Sequence, residues 1–367
     1  MSLQLKTANY KLILCAGGTG GHIFPGLALA TELRTIGAQI IWVGRNSGLE
    51  KGIASKNKFK FHPINAFPLP SAISRLPSAL AGLLQSIALI NRLQPKGVIA
   101  TGAYVSAPLL LAAMIKKVPF YLLEQNRIPG RVVRLFAPYA RQTFLTFPLQ
   151  SHFPVPFTVA GTPLRKSIVQ KAKEFSYPPT HGRVDRTVLI LGGSQGARPL
   201  NLAAIKMAAL LKDLRFILLT GRRDYHALKN LNPPSNCELV QWTDHPEEFY
   251  IQASLAITRA GGLVLSELLL FGIPLVVIPF PHARDNHQDA NARYLESNGA
   301  ALRLSQADLS RLPDIIQNLV FDTQKLLEMS KRARTLAHPD GAHTIAQAII
   351  ADLSRNNQKS KAVCSVG

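Results

Sequence analysis

The amino-acid sequence predicts an α/β fold with two Rossmann-like, doubly wound parallel-sheet domains that face a cleft. Each half of the chain opens with a continuous apolar run, a glycine-rich turn and a helical pattern, at residues 11–36 and again at residues 187–212. Apolar runs typical of buried parallel strands then alternate with helical patterns through both halves. This order favours β-α-β units, and the length of 367 residues suits two such domains.

The first half contains six predicted strands, at residues 12–15, 38–44, 59–65, 96–100, 119–124 and 142–145. Helices are predicted at residues 25–36 and 78–93, and a further helix follows residue 106. Residues 45–58 are predicted as a polar loop. Three prolines between residues 66 and 78 exclude a regular helix there.

The second half repeats this alternation. Its predicted strands lie at residues 187–191, 216–220, 238–241, 255–258 and 274–278, and its predicted helices at residues 199–212, 262–271, 286–297, 306–320, 323–336 and 343–354.

The predicted domain boundaries follow the composition. A polar stretch with Pro178, Pro179 and Gly182 is typical of a linker, so the domains are expected at residues 1–172 and 187–340, joined by residues 173–186. A helix at residues 341–355 is expected to pack back on the first domain. The polar tail at residues 356–367 is expected to be disordered.

The net charge of +21 predicts an anionic partner. No nucleic-acid module is visible, so an anionic membrane surface and a phosphorylated ligand are favoured, although a solvated basic surface is an alternative. No apolar run approaches the roughly 18 residues of a membrane span, and no secretory signal is visible. Three scattered cysteines favour a reducing compartment.

The first glycine turn, GGTGGH at residues 17–22, predicts a phosphate site. Glycines let a ligand approach the backbone, and the following helix presents N–H groups and a positive dipole end. His22 lies at the start of this helix, where it is either a base near a phosphoester or a structural hydrogen-bonding group. The third glycine of GxGxxG and the acidic residue of a dinucleotide site are both absent, which leaves NADP only a weak alternative through Arg45.

The second half offers three further candidate groups. The turn GGSQGA at residues 192–197 suits a diphosphate through Ser194, unless Ser194 and Gln195 only cap the helix. Glu267 follows a glycine pair and fits the two hydroxyls of a ribose, or it serves only the helix dipole. Amide and acidic side chains crowd residues 286–291, as sugar hydroxyls require. Metal-ligand spacing is absent, so Arg165 and helix dipoles are expected to balance diphosphate charge.

Five motifs in order, at residues 17–25, 101–106, 124–126, 192–197 and 259–291, resemble the bacterial undecaprenyldiphospho-muramoylpentapeptide β-N-acetylglucosaminyltransferases. The resemblance implies a GT-B fold and inverting transfer of N-acetylglucosamine, without metal or cofactor. The donor would be UDP-GlcNAc, and the acceptor the C4 hydroxyl of the MurNAc unit of lipid I, giving lipid II for peptidoglycan. The enzyme would act peripherally on the cytoplasmic face of the plasma membrane, beside other cell-wall synthesis proteins.

The resemblance also implies roles for single residues. His22 would be the catalytic base or would position the acceptor, and Glu267 would hold the ribose. The other implied substrate-binding residues are Thr19, Gly20, Gly21, Asn126, Arg165, Ser194, Thr243, His287 and Gln288. The chain departs from the family pattern at Ala103 and at Arg127, both on the acceptor side.

The first domain is expected to contact the membrane. Leu69, Ile73, Leu76 and the apolar face of residues 78–93 are flanked by Arg75, Arg92, Lys96, Lys116 and Lys117. Such a surface suits docking on anionic lipid, although the helix could simply cover the sheet. Three other functions remain as hypotheses: another GT-B enzyme, an NADP-dependent oxidoreductase and a non-catalytic membrane scaffold.

Overall fold

The computed structural model describes residues 10–66, 76–152, 155–179, 186–193 and 196–364. The chain forms two compact units. The first combines Met1–Gln125, Pro129–Arg165 and Asp340–Gly367, and the second combines Asn126–Ile128 with Lys166–Pro339. The division after Arg165 lies seven residues before the boundary expected at residue 172.

The first unit is built on a parallel sheet. Its described strands are β1 (Lys11–Cys15), β2 (Gln39–Gly44), β3 (Lys60–Pro63), β4 (Gly97–Ala100), β5 (Phe120–Glu124), β6 (Gln142–Leu145) and β7 (Phe157–Val159). Their spatial order is β3-β2-β1-β4-β5-β6-β7. Because β1 pairs with both β2 and β4, the strand order reverses beside β1. Ligands of doubly wound sheets bind beyond the carboxyl ends of the strands at such a point.

The described residues of the first unit before Arg165 contain five helices: α1 (Gly20–Thr35), α2 (Leu49–Lys56), α3 (Leu76–Leu93), α4 (Ala107–Ile115) and α5 (Arg131–Phe136). The prediction of a polar loop over residues 45–58 is wrong, because α2 lies within it. This helix buries only Glu50 and Ala54. The Glu50 carboxylate accepts a hydrogen bond from the Arg45 amide at 2.9 Å, so a polar contact anchors α2 beside the short apolar contact of Ala54 and Ile53 with the core.

The second unit repeats the architecture. Its described strands are β8 (Thr187–Leu191), β9 (Arg215–Leu219), β10 (Cys237–Val240), β11 (Leu255–Thr258), β12 (Leu275–Val277) and β13 (Ala301–Arg303), in the spatial order β10-β9-β8-β11-β12-β13. The strand order reverses beside β8, which precedes the second glycine turn. The predicted class of two doubly wound parallel sheets is therefore confirmed.

The helices of the second unit are α6 (Lys166–Glu174), α7 (Arg198–Leu210), α8 (Tyr225–Lys229), α9 (Glu247–Tyr250), α10 (Gly262–Phe271), α11 (His287–Ser297), α12 (Leu312–Phe321) and α13 (Thr323–Thr335). The helix predicted at residues 306–320 divides into a 3₁₀ segment, Gln306–Arg311, followed by α12. The short helices α8 and α9 lie in segments for which no helix is predicted.

The last helix, α14 (Gly341–Cys364), belongs to the first unit. Ile345 and Ile349 of α14 are buried in the same core as Trp42 and Leu33. The helix continues to Cys364, so residues 356–364 are helical where the sequence predicts a disordered tail. Within the described part of the chain, every helix is too short or too polar to span a bilayer.

Candidate active site

The first glycine turn joins β1 to α1 at the carboxyl edge of the first sheet. Gly18 has φ +88°, a left-handed conformation that favours glycine, and a side chain on Gly17 would lie 2.7 Å from Glu50 Oε1. The Thr19 carbonyl accepts hydrogen bonds from the His22 and Ile23 amides, both at 3.0 Å. The exposed Thr19 side chain and the first turn of α1 thus form the helix N-terminus that the sequence predicts as a phosphate site.

His22 has a fixed ring orientation. Its Nδ1 lies 2.6 Å from the Thr101 carbonyl oxygen. Because a carbonyl oxygen only accepts, Nδ1 donates its proton there, and the lone pair of the neutral ring is on Nε2. Thr101 directly follows β4, and its amide donates to the Cys15 carbonyl at the end of β1, at 3.2 Å. Strand pairing therefore sets the tautomer of His22.

Tyr104 and Arg45 lie beside the same turn. Neither is among the residues to which the resemblance assigns a role. Arg45 Nη1 donates to the Tyr104 hydroxyl at 2.6 Å, and Tyr104 Cε1 would lie 3.8 Å from a side chain added at Gly18. Arg45 follows β2 and Tyr104 follows β4, so the sheet brings them together across 59 residues of sequence. Arg45 is also the residue on which the NADP alternative depends.

Arg165 ends the second segment of the first unit and lies near the start of α1. Its guanidinium carbon is 4.9 Å from the centre of the Phe24 ring, a cation–π distance. Phe24 is in the second turn of α1, so the contact keeps a positive charge close to the glycine turn. Thr19, Gly20, Gly21, His22 and Arg165 are thus associated with one helix end.

Asn126 belongs to the second unit and is held by Asn291. The fully buried Asn291 donates from Nδ2 to Asn126 Oδ1 and to the Ala260 carbonyl, both at 3.0 Å. Its Oδ1 accepts from the Arg127 amide, also at 3.0 Å. Since Asn126 uses its oxygen for this contact, its Nδ2 is the group that donates elsewhere.

Glu267 lies on α10 and is 5% exposed. Its Oε2 accepts a hydrogen bond from the Tyr250 hydroxyl at 2.7 Å. Tyr250 is buried at the end of α9, and the sequence offered no signal for its role. The phenol therefore orients the carboxylate that the sequence predicts as the ribose-binding group.

His287 and Gln288 open α11, directly after two residues with strained backbone. Asp285 and Asn286 both have φ 53°, a left-handed conformation. Gln288 Oε1 accepts from the Phe280 amide at 2.9 Å, which orients the amide nitrogen of Gln288 as a donor. His287 Nδ1 donates to the Arg284 carbonyl at 2.7 Å.

Arg259, the first residue of the motif at residues 259–291, has a structural role. Its Nη1 donates to the carbonyls of Ile278 and Pro279, at 3.1 and 3.2 Å. Burial lowers the pKa of its guanidinium. Arg259 therefore holds the turn after β12 that carries the Phe280 amide to Gln288.

Thr243 follows β10, where its hydroxyl oxygen accepts from the His245 amide at 2.9 Å. This contact closes a tight turn and leaves the Thr243 hydroxyl hydrogen as a donor. Ser194 lies outside the described residues. The second unit thus carries Asn126, Thr243, Glu267, His287 and Gln288 of the expected set.

Solved structures identify the class of protein. A crystal structure of Acinetobacter baumannii MurG is similar to this chain with a TM-score of 0.76 and 26% identity, over 93% of this chain and 99% of that one. A glycosyltransferase of kitacinnamycin aligns with a TM-score of 0.72 at 19% identity, over 94% of this chain and all of that one, and supports the fold alone. The fold is that of the GT-B glycosyltransferases.

The family follows from the sequence comparisons. The glycosyltransferase family 28 N-terminal domain matches residues 12–145, and the family 28 C-terminal domain matches residues 187–345. The chain therefore belongs to glycosyltransferase family 28.

Two relatives are named UDP-N-acetylglucosamine–N-acetylmuramyl-(pentapeptide) pyrophosphoryl-undecaprenol N-acetylglucosamine transferase. The one from Halothermothrix orenii is 35% identical over 92% of this chain and 98% of its own. The one from Idiomarina loihiensis is 35% identical over 91% and 96%.

Proposed function

We propose that this chain transfers N-acetylglucosamine from UDP-GlcNAc to the C4 hydroxyl of the MurNAc unit of lipid I, giving lipid II. One observation carries this conclusion. Relatives with this activity in their names match the chain at 31–35% identity over at least nine-tenths of its length. The chain is a GlcNAc transferase of peptidoglycan synthesis.

The proposed reaction is a single inverting displacement. His22 Nε2 takes the proton from the acceptor C4 hydroxyl, whose oxygen attacks C1 of the donor sugar. The bond from C1 to the β-phosphate oxygen breaks, and its electron pair leaves with UDP. The N-terminus of α1 and Arg165 stabilise the negative charge that grows on the diphosphate.

The donor contacts are assigned to the second unit. Glu267, fixed by Tyr250, receives the ribose hydroxyls, and Thr243 lies beside the uracil. Asn126, Gln288 and His287 contact the sugar hydroxyls. Ser194 is assigned to the diphosphate on its motif alone. The orientation of Gln288 supports this assignment, because its amide oxygen is bound to the Phe280 amide and its amide nitrogen is therefore oriented as a donor.

We assign membrane docking to α3 and α4 of the first unit, on the cytoplasmic face. Leu80 and Leu84 on α3 are each 57% exposed, and Leu111 and Ile115 on α4 are 40% and 54% exposed. Spacing of four residues places each pair on one helix face. The buried residues of α3, such as Leu89 and Ile90, cover the sheet, as the alternative predicts. Leu80 and Leu84 are exposed and do not. Leu69, Ile73 and Arg75 lie outside the described residues. Contact with other cell-wall synthesis proteins is part of the same proposal.

UDP release tests the function directly. Purified protein is expected to release UDP from UDP-GlcNAc only when a soluble lipid I analogue is present, because the acceptor hydroxyl is the nucleophile. Release is measured with a coupled assay, with UDP-glucose as the control donor. The same rate without acceptor, or with an unrelated sugar acceptor alone, contradicts the proposal.

A further inference from the structure

Arg45 and Tyr104 form a hydrogen-bonded pair beside the first glycine turn, and the reaction proposed above assigns no role to either. Arg45 directly follows β2, where its amide donates to Glu50 Oε1 at 2.9 Å. Because Glu50 is fully buried, this contact fixes the backbone from which the Arg45 side chain extends. The side chain therefore starts from a rigid point of the first unit.

Tyr104 is held against the glycine turn. It begins a short 3₁₀ segment in the connection after β4, and its Cε1 atom would lie 3.8 Å from a side chain added at Gly18. The Thr101 carbonyl, which binds His22 at 2.6 Å, belongs to the same connection. One segment of the chain thus positions both Tyr104 and His22 at the turn.

The hydrogen bond between the two side chains has a defined direction. A guanidinium has no acceptor, so Arg45 Nη1 donates and the Tyr104 hydroxyl oxygen accepts, at 2.6 Å. A short bond from a charged donor is strong and polarises the phenol O–H group. Among the described residues the Tyr104 hydroxyl has no second partner, so its hydrogen is available to an oxygen atom of a ligand.

Arg45 keeps its positive charge without an ion pair. Within the described part of the chain, no carboxylate lies within ion-pair distance of its guanidinium, because Glu50 accepts from the backbone amide instead. The Arg45 Nε atom is buried and has no hydrogen-bond partner there, so the Tyr104 hydroxyl is the group that orients the guanidinium. Both side chains are partly exposed. An oxygen-rich ligand at the turn would therefore meet a positive charge and a polarised hydroxyl together.

We propose that Arg45 is a positioning residue for the acceptor substrate. It holds the Tyr104 hydroxyl so that the hydroxyl hydrogen is donated to an oxygen atom of the acceptor, at the turn where His22 takes the proton of the attacking hydroxyl. This inference rests on the proposed transferase function. It adds a residue that acts on the acceptor through a tyrosine, without a part in the donor contacts of the second unit.

Steady-state kinetics of the full chain with UDP-GlcNAc and a soluble lipid I analogue test the pair. Arg45→Gln and Tyr104→Phe are each expected to raise the KM for the acceptor about fivefold or more, because each breaks the charge-assisted hydrogen bond. The values of kcat, of the KM for UDP-GlcNAc and of the urea unfolding midpoint are expected to stay nearly unchanged.

Two further variants separate the hydrogen bond from the charge. In the double variant, Arg45→Gln is expected to add less than about twofold to the effect of Tyr104→Phe, since no hydroxyl is left to hold. The matched control Lys51→Gln removes a positive charge nearby in the chain, where the ammonium binds Asn46 Oδ1 at 2.9 Å. It is expected to change the KM for the acceptor less than about twofold.

Three outcomes overturn the inference. An effect of Arg45→Gln that is as large in the Tyr104→Phe background as in wild type would show that Arg45 does not act through the tyrosine. Equal effects of Lys51→Gln and Arg45→Gln would show that only the net charge matters. Equal increases in the KM values for donor and acceptor would give the pair a purely structural role.

Two acceptor analogues, one with the diphosphate and one with a methyl group in its place, locate the oxygen atom that receives the hydrogen. A loss restricted to the diphosphate analogue assigns it to a phosphate, and equal losses assign it to the sugar. A wild-type protein that transfers no sugar would contradict the proposed function instead. Calorimetric binding of the acceptor analogue to wild type and to the same variants then tests the pair without turnover.

Discussion

His22 combines a defined tautomer with a position at a helix N-terminus. Because the Thr101 carbonyl holds Nδ1, His22→Ala removes the basic Nε2 while the backbone that forms the turn is retained. General-base catalysis contributes about 10²–10⁴-fold, so kcat is expected to fall by about 100-fold or more while the Kd for UDP changes little. Steady-state kinetics and UDP titration measure the two quantities. Parallel losses in kcat and in UDP affinity would give His22 a structural role instead.

Asn291 is expected to act through Asn126. Asn291→Ala removes three hydrogen bonds of 3.0 Å, including the one to Asn126 Oδ1, so KM for UDP-GlcNAc is expected to rise about tenfold. The Kd for UDP, which lacks the sugar, is expected to stay nearly unchanged. The matched variant is Asn126→Ala, combined with Asn291→Ala in a double-mutant cycle. Additive effects would show that Asn291 does not position Asn126.

Single residues also mark the limit of sequence analysis. Gly18 was predictable, because a turn that needs positive φ favours glycine and the motif shows it locally. The hydrogen-bond partners of three site residues were not predictable, because they are distant in the sequence. His22 binds a backbone carbonyl 79 residues away, Glu267 a phenol 17 residues away and Gln288 a backbone amide 8 residues away. Arg259 likewise gives no local signal of its structural role, because its carbonyl partners lie 19 and 20 residues further along the chain.

At the scale of elements, helix α2 was not predicted and the strands were, because they differ in how many buried apolar residues they contain. Strands such as β1 and β8 are apolar throughout, so their pattern is visible in the sequence. Helix α2 is only eight residues long and contributes little apolar surface, Ala54 and Ile53, beside the buried Glu50 carboxylate bound to the Arg45 amide. A helix held by a polar contact of this kind cannot be found from hydrophobic spacing.

Asp289 connects α11 to β13 and stabilises the start of the helix that carries His287 and Gln288. Its oxygens accept from Arg293 and Arg303, both at 2.7 Å. Burial acts to raise the pKa of Asp289, but the two arginines outweigh it, and the folded-state pKa is lowered. The ion pairs therefore add stability above the unfolded-state pKa, and this stability is lost as pH falls through the folded-state pKa.

Asp289→Asn is expected to lower the free energy of unfolding of the second unit by about 1 kcal/mol at neutral pH. The difference from wild type is expected to narrow as pH falls below about 5. Urea unfolding at several pH values measures this trend. The control Asp213→Asn removes the same charge at an exposed position. If the difference in free energy of unfolding between Asp289→Asn and wild type does not change with pH, the ion pairs of Asp289 do not stabilise the second unit.

At the scale of the molecule, repeated strand–glycine turn–helix openings were enough to predict two doubly wound sheets, because each opening is local. In contrast, a local motif does not show which unit a later segment packs in, because this depends on contacts between residues that are far apart in the sequence. Helix α14 follows the second unit in the chain but buries Ile345 and Ile349 in the core of the first. Its Asp352 accepts from the Tyr121 hydroxyl at 2.7 Å across 231 residues. The first unit is therefore completed only after the second has been synthesised.

This arrangement predicts separable effects on the two units, and the chain supplies a probe in each. Its two tryptophans are Trp42, in the first unit's core, and Trp242, in the second unit. Ile349→Ala creates a cavity in the first core and is expected to cost about 2–5 kcal/mol there. Denaturant unfolding is followed by tryptophan fluorescence in two backgrounds: Trp242→Phe, which keeps Trp42, and Trp42→Phe, which keeps Trp242. Ile349→Ala is expected to lower the unfolding midpoint that Trp42 reports and to leave the midpoint that Trp242 reports unchanged. The matched variant Ile316→Ala, fully buried in the second core, is expected to do the reverse. Equal shifts of both probes in either variant would mean that the two units unfold as one cooperative body.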